Sequence, residues 1–82
     1  MNNPPLILVV DDEDNFRGIF SAALTQAGYK VELAVDGEDG YQKAKEVKPD
    51  LVLMDMEMPH LNGAGAVMKL RADPETKNLK VI

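Results

Sequence analysis

The chain of 82 residues has the length of one domain and is too short for two. Apolar residues make up 45% and charged residues 28%, a globular composition, and the formal net charge of −5 disfavours nucleic acid as a direct partner because phosphate binding requires clustered Lys and Arg. The sequence has no Cys for a thiolate metal site, no apolar run that could span a bilayer and no export signal, so we expect a domain of the cytoplasm that contacts no membrane.

The first predicted strand and helix lie within residues 6–28. The unbroken apolar run from Leu6 to Val10 predicts a strand that is covered on both faces. An acidic segment follows, and Gly28 then stands where a left-handed C-terminal cap of a helix is expected. Between them, apolar residues recur at helical spacing and predict a helix: Phe16, Ile19, Phe20, Ala23, Leu24 and Ala27.

A second strand and helix follow. Val31, Leu33 and Val35 alternate with other residues, which predicts a strand less completely covered than the first, at an edge of the sheet. Asp36 and Gly37 could form a hairpin turn, but the segment after them has the pattern of a helix. Its apolar stripe consists of Tyr41, Ala44 and Val47.

Pro49 is expected to stop this second helix and to force Lys48 towards an extended conformation. The apolar run Leu51–Met54 then predicts a second central strand, which Asp55 ends. After a loop marked by Pro59 and Asn62-Gly63, a third helix with Val67 and Leu70 is predicted, and Leu79 to Ile82 begin another strand.

Strict alternation of strands and helices with short connections predicts an α/β fold: a doubly wound parallel sheet with right-handed crossovers and helices on both faces. In such a sheet, ligands bind beyond the carboxyl ends of the strands. Asp11, Asp12 and Asp55 lie at such ends, on the two strands predicted to be central. If those strands are neighbours, the three carboxylates converge, and Mg²⁺ with oxygen ligands would relieve their mutual repulsion.

A structural explanation competes with the metal site. Asp11 and Asp12 could simply cap the following helix, and Asp50, which precedes a strand, is expected to form a turn. A third carboxylate at the end of another apolar strand, Asp55, favours the acidic metal site.

Several chemistries are excluded at this site. The sequence has neither a nucleotide P-loop nor a GxGxxG fingerprint after the first strand. It has no Cys nucleophile, and the single His, His60, is interpreted as an exposed loop residue rather than a catalytic base. A sugar cleft for a pair of glycosidase carboxylates is too large for a chain of this length. A carboxylate nucleophile beside Mg²⁺ remains, and carboxylates form covalent phosphoryl intermediates.

Leu6 to Glu13 (LILVVDDE) and Lys48 to Pro59 (KPDLVLMDMEMP) each combine an apolar strand with acidic residues. They resemble the first strand with its acidic pair and the phosphorylation strand in the receiver domains of response regulators. Ala34 to Glu38 (AVDGE) and Gly63 also match the family pattern. The resemblance extends from about Leu6 to Ile82. It implies a flavodoxin-like sheet of order 2-1-3-4-5 in a complete domain, here 2-1-3-4.

The resemblance also implies roles for residues. Asp55 would accept a phosphoryl group from a phosphohistidine on a sensor histidine kinase or phosphotransfer protein of a two-component system. Asp12 would ligate Mg²⁺ directly, Asp11 would contribute through a water molecule, and Glu57 would offer its backbone carbonyl. The backbone amides of Met56 and Glu57 would face the phosphoryl oxygens. On this interpretation residues 1–82 form a signalling domain, not an enzyme, and Asp55 makes it a phosphoprotein.

The sequence differs from the family pattern in two ways that lead to expectations. Gly40 replaces the usual Ala, which predicts a looser second helix. The chain ends before the hydroxyl residue of the fourth strand and the Lys of the fifth strand, both of which contact phosphate in the family. A receiver domain truncated in this way should be impaired in phosphorylation and switching. With its first helix uncovered, the fragment is expected to oligomerise, by exchanging elements between copies, or to be the ordered part of a longer protein.

Two other functions stay open at this point. A pseudo-receiver would be an interaction module that never takes phosphate, and the retained acidic residues argue against it. A hydrolase of the haloacid dehalogenase type also uses an Asp nucleophile after a strand. That family requires a second Asp two residues later, where this chain has Glu57.

Overall fold

The computed structural model describes residues 4–55 and 63–82, in which strands and helices alternate along the chain. Their order is β1 (Leu6–Val10), α1 (Asp14–Gln26), β2 (Lys30–Ala34), α2 (Gly37–Val47), β3 (Leu51–Met54), α3 (Gly63–Ala72) and β4 (Lys80–Val81). Each of these elements was predicted from the sequence, with boundaries that differ by a few residues at most. Among the described residues, no helix has the length and apolar character needed to cross a membrane.

The four strands form one parallel sheet of order β2-β1-β3-β4. The predicted order 2-1-3-4 is therefore confirmed, and β2 lies at an edge, as its incomplete apolar pattern indicated. β1 is central, and its last residue, Val10, pairs with Ala34 of β2 and with Met54 of β3. This common register decides where the residues that follow β1 and β3 are placed.

The two faces of the sheet are covered unequally. Side chains alternate between the faces of a strand, and one face packs against α2 and α3 in a core that includes the fully buried Leu8, Val52, Ala66 and Leu70. The other face carries α1, and this helix has no buried residue. Its large apolar side chains remain 42–60% exposed: Phe16, Ile19 and Phe20.

The ends of α1 and α2 show one prediction that is confirmed and one that is wrong. Gly28 has φ 99°, the left-handed conformation expected after α1. Lys48 was expected to be extended because Pro49 follows it, but it has φ 49° and ψ 65° and is left-handed. Its amide donates to the carbonyl of Ala44, which caps α2 as the chain turns towards β3. The geometry of the helix end overrides the local preference of a residue before proline.

Gly40 has a packing role that the sequence did not reveal. A Cβ atom at this position would lie 2.8 and 2.9 Å from the two methyl carbons of Val10, which is 1% exposed in the central strand. The glycine therefore lets α2 approach the end of β1 closely. The expectation that Gly40 merely loosens α2 overlooks this contact.

We predict that Gly40→Ala lowers the free energy of unfolding by about 1 kcal/mol, because overpacking costs more than the gain in helix propensity. Gly18→Ala in α1 is the matched control, since a Cβ there meets nothing within 4 Å. The control should raise the free energy of unfolding by roughly 0.5–1 kcal/mol. Urea unfolding of both variants measures the difference, and equal stabilisation by both would contradict the role given to Gly40.

Candidate functional site

The carboxyl edge of the sheet brings two strand ends together. Val10 and Met54 are paired in register, so the next residue of each strand, Asp11 and Asp55, lie side by side. The amide of Asp55 donates to the carbonyl of Val10 at 3.0 Å, which continues the ladder between β1 and β3 by one step. The amide of Asp11 donates to the carbonyl of Ala34 at 3.1 Å on the other side of β1. Backbone hydrogen bonds to neighbouring strands therefore fix both acidic residues.

The side chains of Asp11, Asp12 and Asp55 converge at this edge. One carboxylate oxygen from each lies within 4.8 Å of the others. Asp11 is 8% exposed, Asp55 is partly buried and Asp12 is exposed, so the cluster opens to solvent on the side of Asp12. The sequence predicted this convergence, and the structure confirms it.

The capping explanation for Asp11 and Asp12 is supported only in part. Oδ1 of Asp11 accepts a hydrogen bond of 2.9 Å from the amide of Glu13, so this side chain shapes the turn between β1 and α1. The N-cap residue of α1 is Glu13, and its side chain makes no capping hydrogen bond. One carboxylate oxygen of Asp11 thus accepts a hydrogen bond within the turn. The acidic cluster involves one oxygen from each residue, so Asp11 can take part in both.

Asp50 behaves as a structural residue, as predicted. Its Oδ2 accepts from the amide of Leu6 at 2.7 Å, and its own amide donates to the carbonyl of Leu6 at 2.8 Å. It therefore joins the starts of β1 and β3, at the edge of the sheet opposite to the acidic cluster.

An apolar groove of about 440 Å³ leads away from Asp11 and Asp55. It runs between the sheet and α1, and its apolar lining includes Val9, Leu53, Phe16, Phe20 and Ile82. The acidic cluster lies at one end of this groove, so charged and apolar surfaces are continuous on the face of the sheet that carries α1.

Five residues considered from the sequence lie outside the described residues. These are Met56 and Glu57, whose backbone groups were expected to contact phosphate and metal, and Pro59, His60 and Asn62 of the predicted loop. Their expected roles stay predictions.

Sequence reasoning missed a contact beside the acidic cluster. Nη1 of Arg17 donates to the backbone carbonyl of Asp11 at 2.6 Å, and Nη2 pairs with the carboxylate of Asp14. The spacing of Asp14 and Arg17 on one helical face indicates the ion pair, but no local pattern indicates the bond to the end of β1.

A second polar cluster joins α2 to the end of α3. The hydroxyl of Tyr41 donates to Oδ2 of Asp73 at 2.6 Å, and Lys45 pairs with the same carboxylate at 3.1 Å. The hydrogen bond from Tyr41 is the largest of the effects that lower the pKa of Asp73 to about 2. Lys69 lies 4.7 Å from the centre of the Tyr41 ring and pairs with Glu38. The charges of this cluster are paired with one another, and we interpret it as a structural link between the two helices.

The donor set of the acidic cluster fits a small divalent cation. Carboxylate oxygens are the ligands that Mg²⁺ takes, and it commonly binds one or two carboxylates together with water and phosphate oxygens. A partly buried carboxylate at the end of a strand, beside such a cation, is suited to receive a phosphoryl group. The arrangement at this edge is thus compatible with the chemistry predicted from the sequence.

Comparisons with known proteins match most of the chain. The family model described as the response regulator receiver domain matches residues 7–82. Protein PilH of Pseudomonas aeruginosa is 43% identical over 76 residues, which cover 93% of this chain and 63% of PilH.

Solved structures give the same match. The N-terminal domain of a response regulator receiver protein from Methanoculleus marisnigri superposes with a TM-score of 0.91 at 32% identity, covering 94% of this chain and 63% of the other. The receiver domain of sensor histidine kinase PA1611 from Pseudomonas aeruginosa, which has a magnesium ion coordinated in its active-site cleft, gives a TM-score of 0.90 at 29% identity, covering 95% and 64%. In each comparison the present chain spans less than two thirds of the other protein's length.

Proposed function

The chain belongs to the response regulator receiver domain family of two-component systems, and on this basis we propose that it accepts a phosphoryl group on Asp55. The observation that carries the proposal is the convergence of carboxylate oxygens from Asp11, Asp12 and Asp55 within 4.8 Å at the carboxyl edge of the sheet. The donor would be a phosphohistidine on a sensor histidine kinase or on a phosphotransfer protein.

Asp55 is the proposed nucleophile of this transfer. A carboxylate oxygen of Asp55 forms a bond to phosphorus while the bond from phosphorus to the histidine nitrogen breaks, and the electron pair of that bond returns to the imidazole. The hydrogen bond from the amide of Asp55 to the carbonyl of Val10 holds the backbone of the nucleophile in place. The product is an acyl phosphate on Asp55, and the domain acts as a signalling component that assists its own phosphorylation rather than as an enzyme.

Asp11 and Asp12 are the proposed metal ligands beside the nucleophile. Asp12 is exposed and would bind Mg²⁺ directly, whereas Asp11, with one oxygen engaged by the amide of Glu13, would contribute through a water molecule. Asp55 and the carbonyl of Glu57 would complete the protein's share of the ligands. When bound, the cation neutralises charge on the transferring group.

Fluoroberyllate tests this function, because it forms a complex with a carboxylate oxygen and mimics a bound phosphoryl group. We predict a fluorine NMR signal of bound fluoroberyllate that requires both the protein and Mg²⁺, and that is lost in Asp55→Asn because the amide offers no anionic oxygen. A pseudo-receiver would give no bound signal with the unmodified chain. A signal that persists in Asp55→Asn would place the phosphoryl group elsewhere.

A polypeptide of these 82 residues alone is proposed to be phosphorylated weakly, because it carries no counterpart of the hydroxyl and Lys residues that contact phosphate on later strands of the family. Incubation with a small phosphodonor and Mg²⁺, followed by mass spectrometry with Asp55→Asn as control, measures this. Strong phosphate uptake on Asp55 would contradict the proposed impairment.

We further propose that residues 1–82 form one receiver unit that works in the cytoplasm without direct contact to nucleic acid or membrane. The exposed apolar side chains of Phe16, Ile19 and Phe20 support association of this polypeptide with further copies of itself. A light-scattering mass above that of one chain is expected, and a monomer at all concentrations would contradict it.

A further inference from the structure

Arg17 makes contacts that are unusual for an arginine on a solvent-facing helix. Its side chain is only 13% exposed, although arginine is among the residues most often found at the surface. Nη1 donates a hydrogen bond of 2.6 Å to the carbonyl oxygen of Asp11, and Nη2 pairs with the carboxylate of Asp14. A single guanidinium therefore connects the end of β1 to the first turn of α1.

The hydrogen bond to Asp11 acts on a peptide unit that two proposed metal ligands share. The carbonyl of Asp11 and the amide of Asp12 belong to one planar peptide unit. A hydrogen bond that fixes the direction of this carbonyl therefore also fixes the direction of the Asp12 amide. On the other side of the turn, the amide of Glu13 donates to Oδ1 of Asp11 at 2.9 Å. Two hydrogen bonds thus fix the turn that carries both carboxylates. One is formed within the turn by the amide of Glu13, and the other comes from Arg17 of α1.

The charge of Arg17 by itself would oppose a cation at the acidic cluster. Its pairing with Asp14, which is 89% exposed, offsets this effect, because a carboxylate lies against the guanidinium on the side of the helix. The residue can therefore hold the turn with little net charge added near the metal ligands. By holding the turn, Arg17 should raise the affinity for Mg²⁺, whereas its positive charge should lower that affinity. The two roles can therefore be separated by experiment.

We infer that Arg17 is a positioning residue for the metal ligands, which sets the turn from Asp11 to Glu13 before a cation binds. The inference rests on the proposed function, since it gives Asp11 and Asp12 their task, but its structural part concerns the chain without metal. Arginine suits the role because its planar fork bonds two partners at fixed directions, which lysine cannot do.

The experiment compares the unmodified chain with Arg17→Met, which keeps an unbranched apolar side chain, and with Arg17→Lys, which keeps the charge. Amide hydrogen exchange in the absence of metal reports on the Glu13 amide. We expect about fivefold faster exchange in Arg17→Met, the factor that corresponds to one ordinary hydrogen bond. An Mg²⁺ titration followed by NMR should then show affinity lowered by about tenfold, as for the loss of groups that orient metal ligands.

Arg17→Lys separates the two roles. If Arg17 positions the turn, this variant should resemble Arg17→Met in both measurements, whereas if only charge matters it should match the unmodified chain. Unchanged exchange of the Glu13 amide in Arg17→Met, or tighter Mg²⁺ binding in that variant, would overturn the inference. Failure of the unmodified chain to bind Mg²⁺ would instead contradict the proposed function, and the exchange measurement would still decide whether Arg17 holds the turn.

Discussion

Replacing Asp12 with asparagine is expected to weaken Mg²⁺ binding by about 100-fold, and replacing Asp11 in the same way by about tenfold. The difference follows from the two side chains' surroundings. Asp12 is exposed and would bind the cation directly, whereas Asp11 is 8% exposed and has one oxygen engaged by the amide of Glu13. An Mg²⁺ titration monitored by the NMR signals of the amides near Asp55 measures both affinities.

Asp50→Asn is the matched control for these variants. It removes a carboxylate charge from the same sheet at its opposite edge, where Asp50 accepts a hydrogen bond from the amide of Leu6. Its Mg²⁺ affinity should remain that of the unmodified chain. Equal losses of Mg²⁺ affinity in all three variants would mean that the net charge of the chain alone determines the affinity. A larger loss for Asp11→Asn than for Asp12→Asn would mean that Asp11, rather than Asp12, binds the cation directly.

The placement of the acidic cluster could be predicted from the sequence because it depends on few assumptions. Two unbroken apolar runs indicated central parallel strands, and a parallel register then brings the residues after Val10 and Met54 to the same edge. The position of Asp55 beside Asp11 follows from strand pairing alone. The same local patterns predicted the order of elements and the left-handed Gly28.

Contacts between residues far apart in the sequence could not be predicted in this way. Gly40 was interpreted from helix propensity, but its packing against Val10 across 30 positions decides its role. The bond from Tyr41 to Asp73 joins residues 32 positions apart. Lys48 is a further example. Its backbone conformation is determined by the turn from α2 into β3 and not by Pro49, from which an extended conformation was predicted.

The unequal covering of the two sheet faces leads to a further expected result: Leu8→Ala should lower the free energy of unfolding by about 3 kcal/mol. Leu8 lies in the central strand and is 0% exposed within the core that α2 and α3 cover. A loss of this size is a large fraction of the stability of a small domain, so the urea midpoint should fall well below that of the unmodified chain.

Ile19→Ala removes an aliphatic side chain of the same size from α1 and serves as the control. Ile19 is 60% exposed in the single chain, and alanine has the higher helix propensity, so the expected change is within about 0.5 kcal/mol at concentrations low enough to keep the chain monomeric. Urea unfolding at several protein concentrations compares the two variants. If Ile19→Ala costs as much as Leu8→Ala only at high concentration, the apolar face of α1 is buried between copies of the chain, as proposed for this polypeptide. If the cost is high at every concentration, a single chain buries Ile19, contrary to the exposure of α1 in the structure.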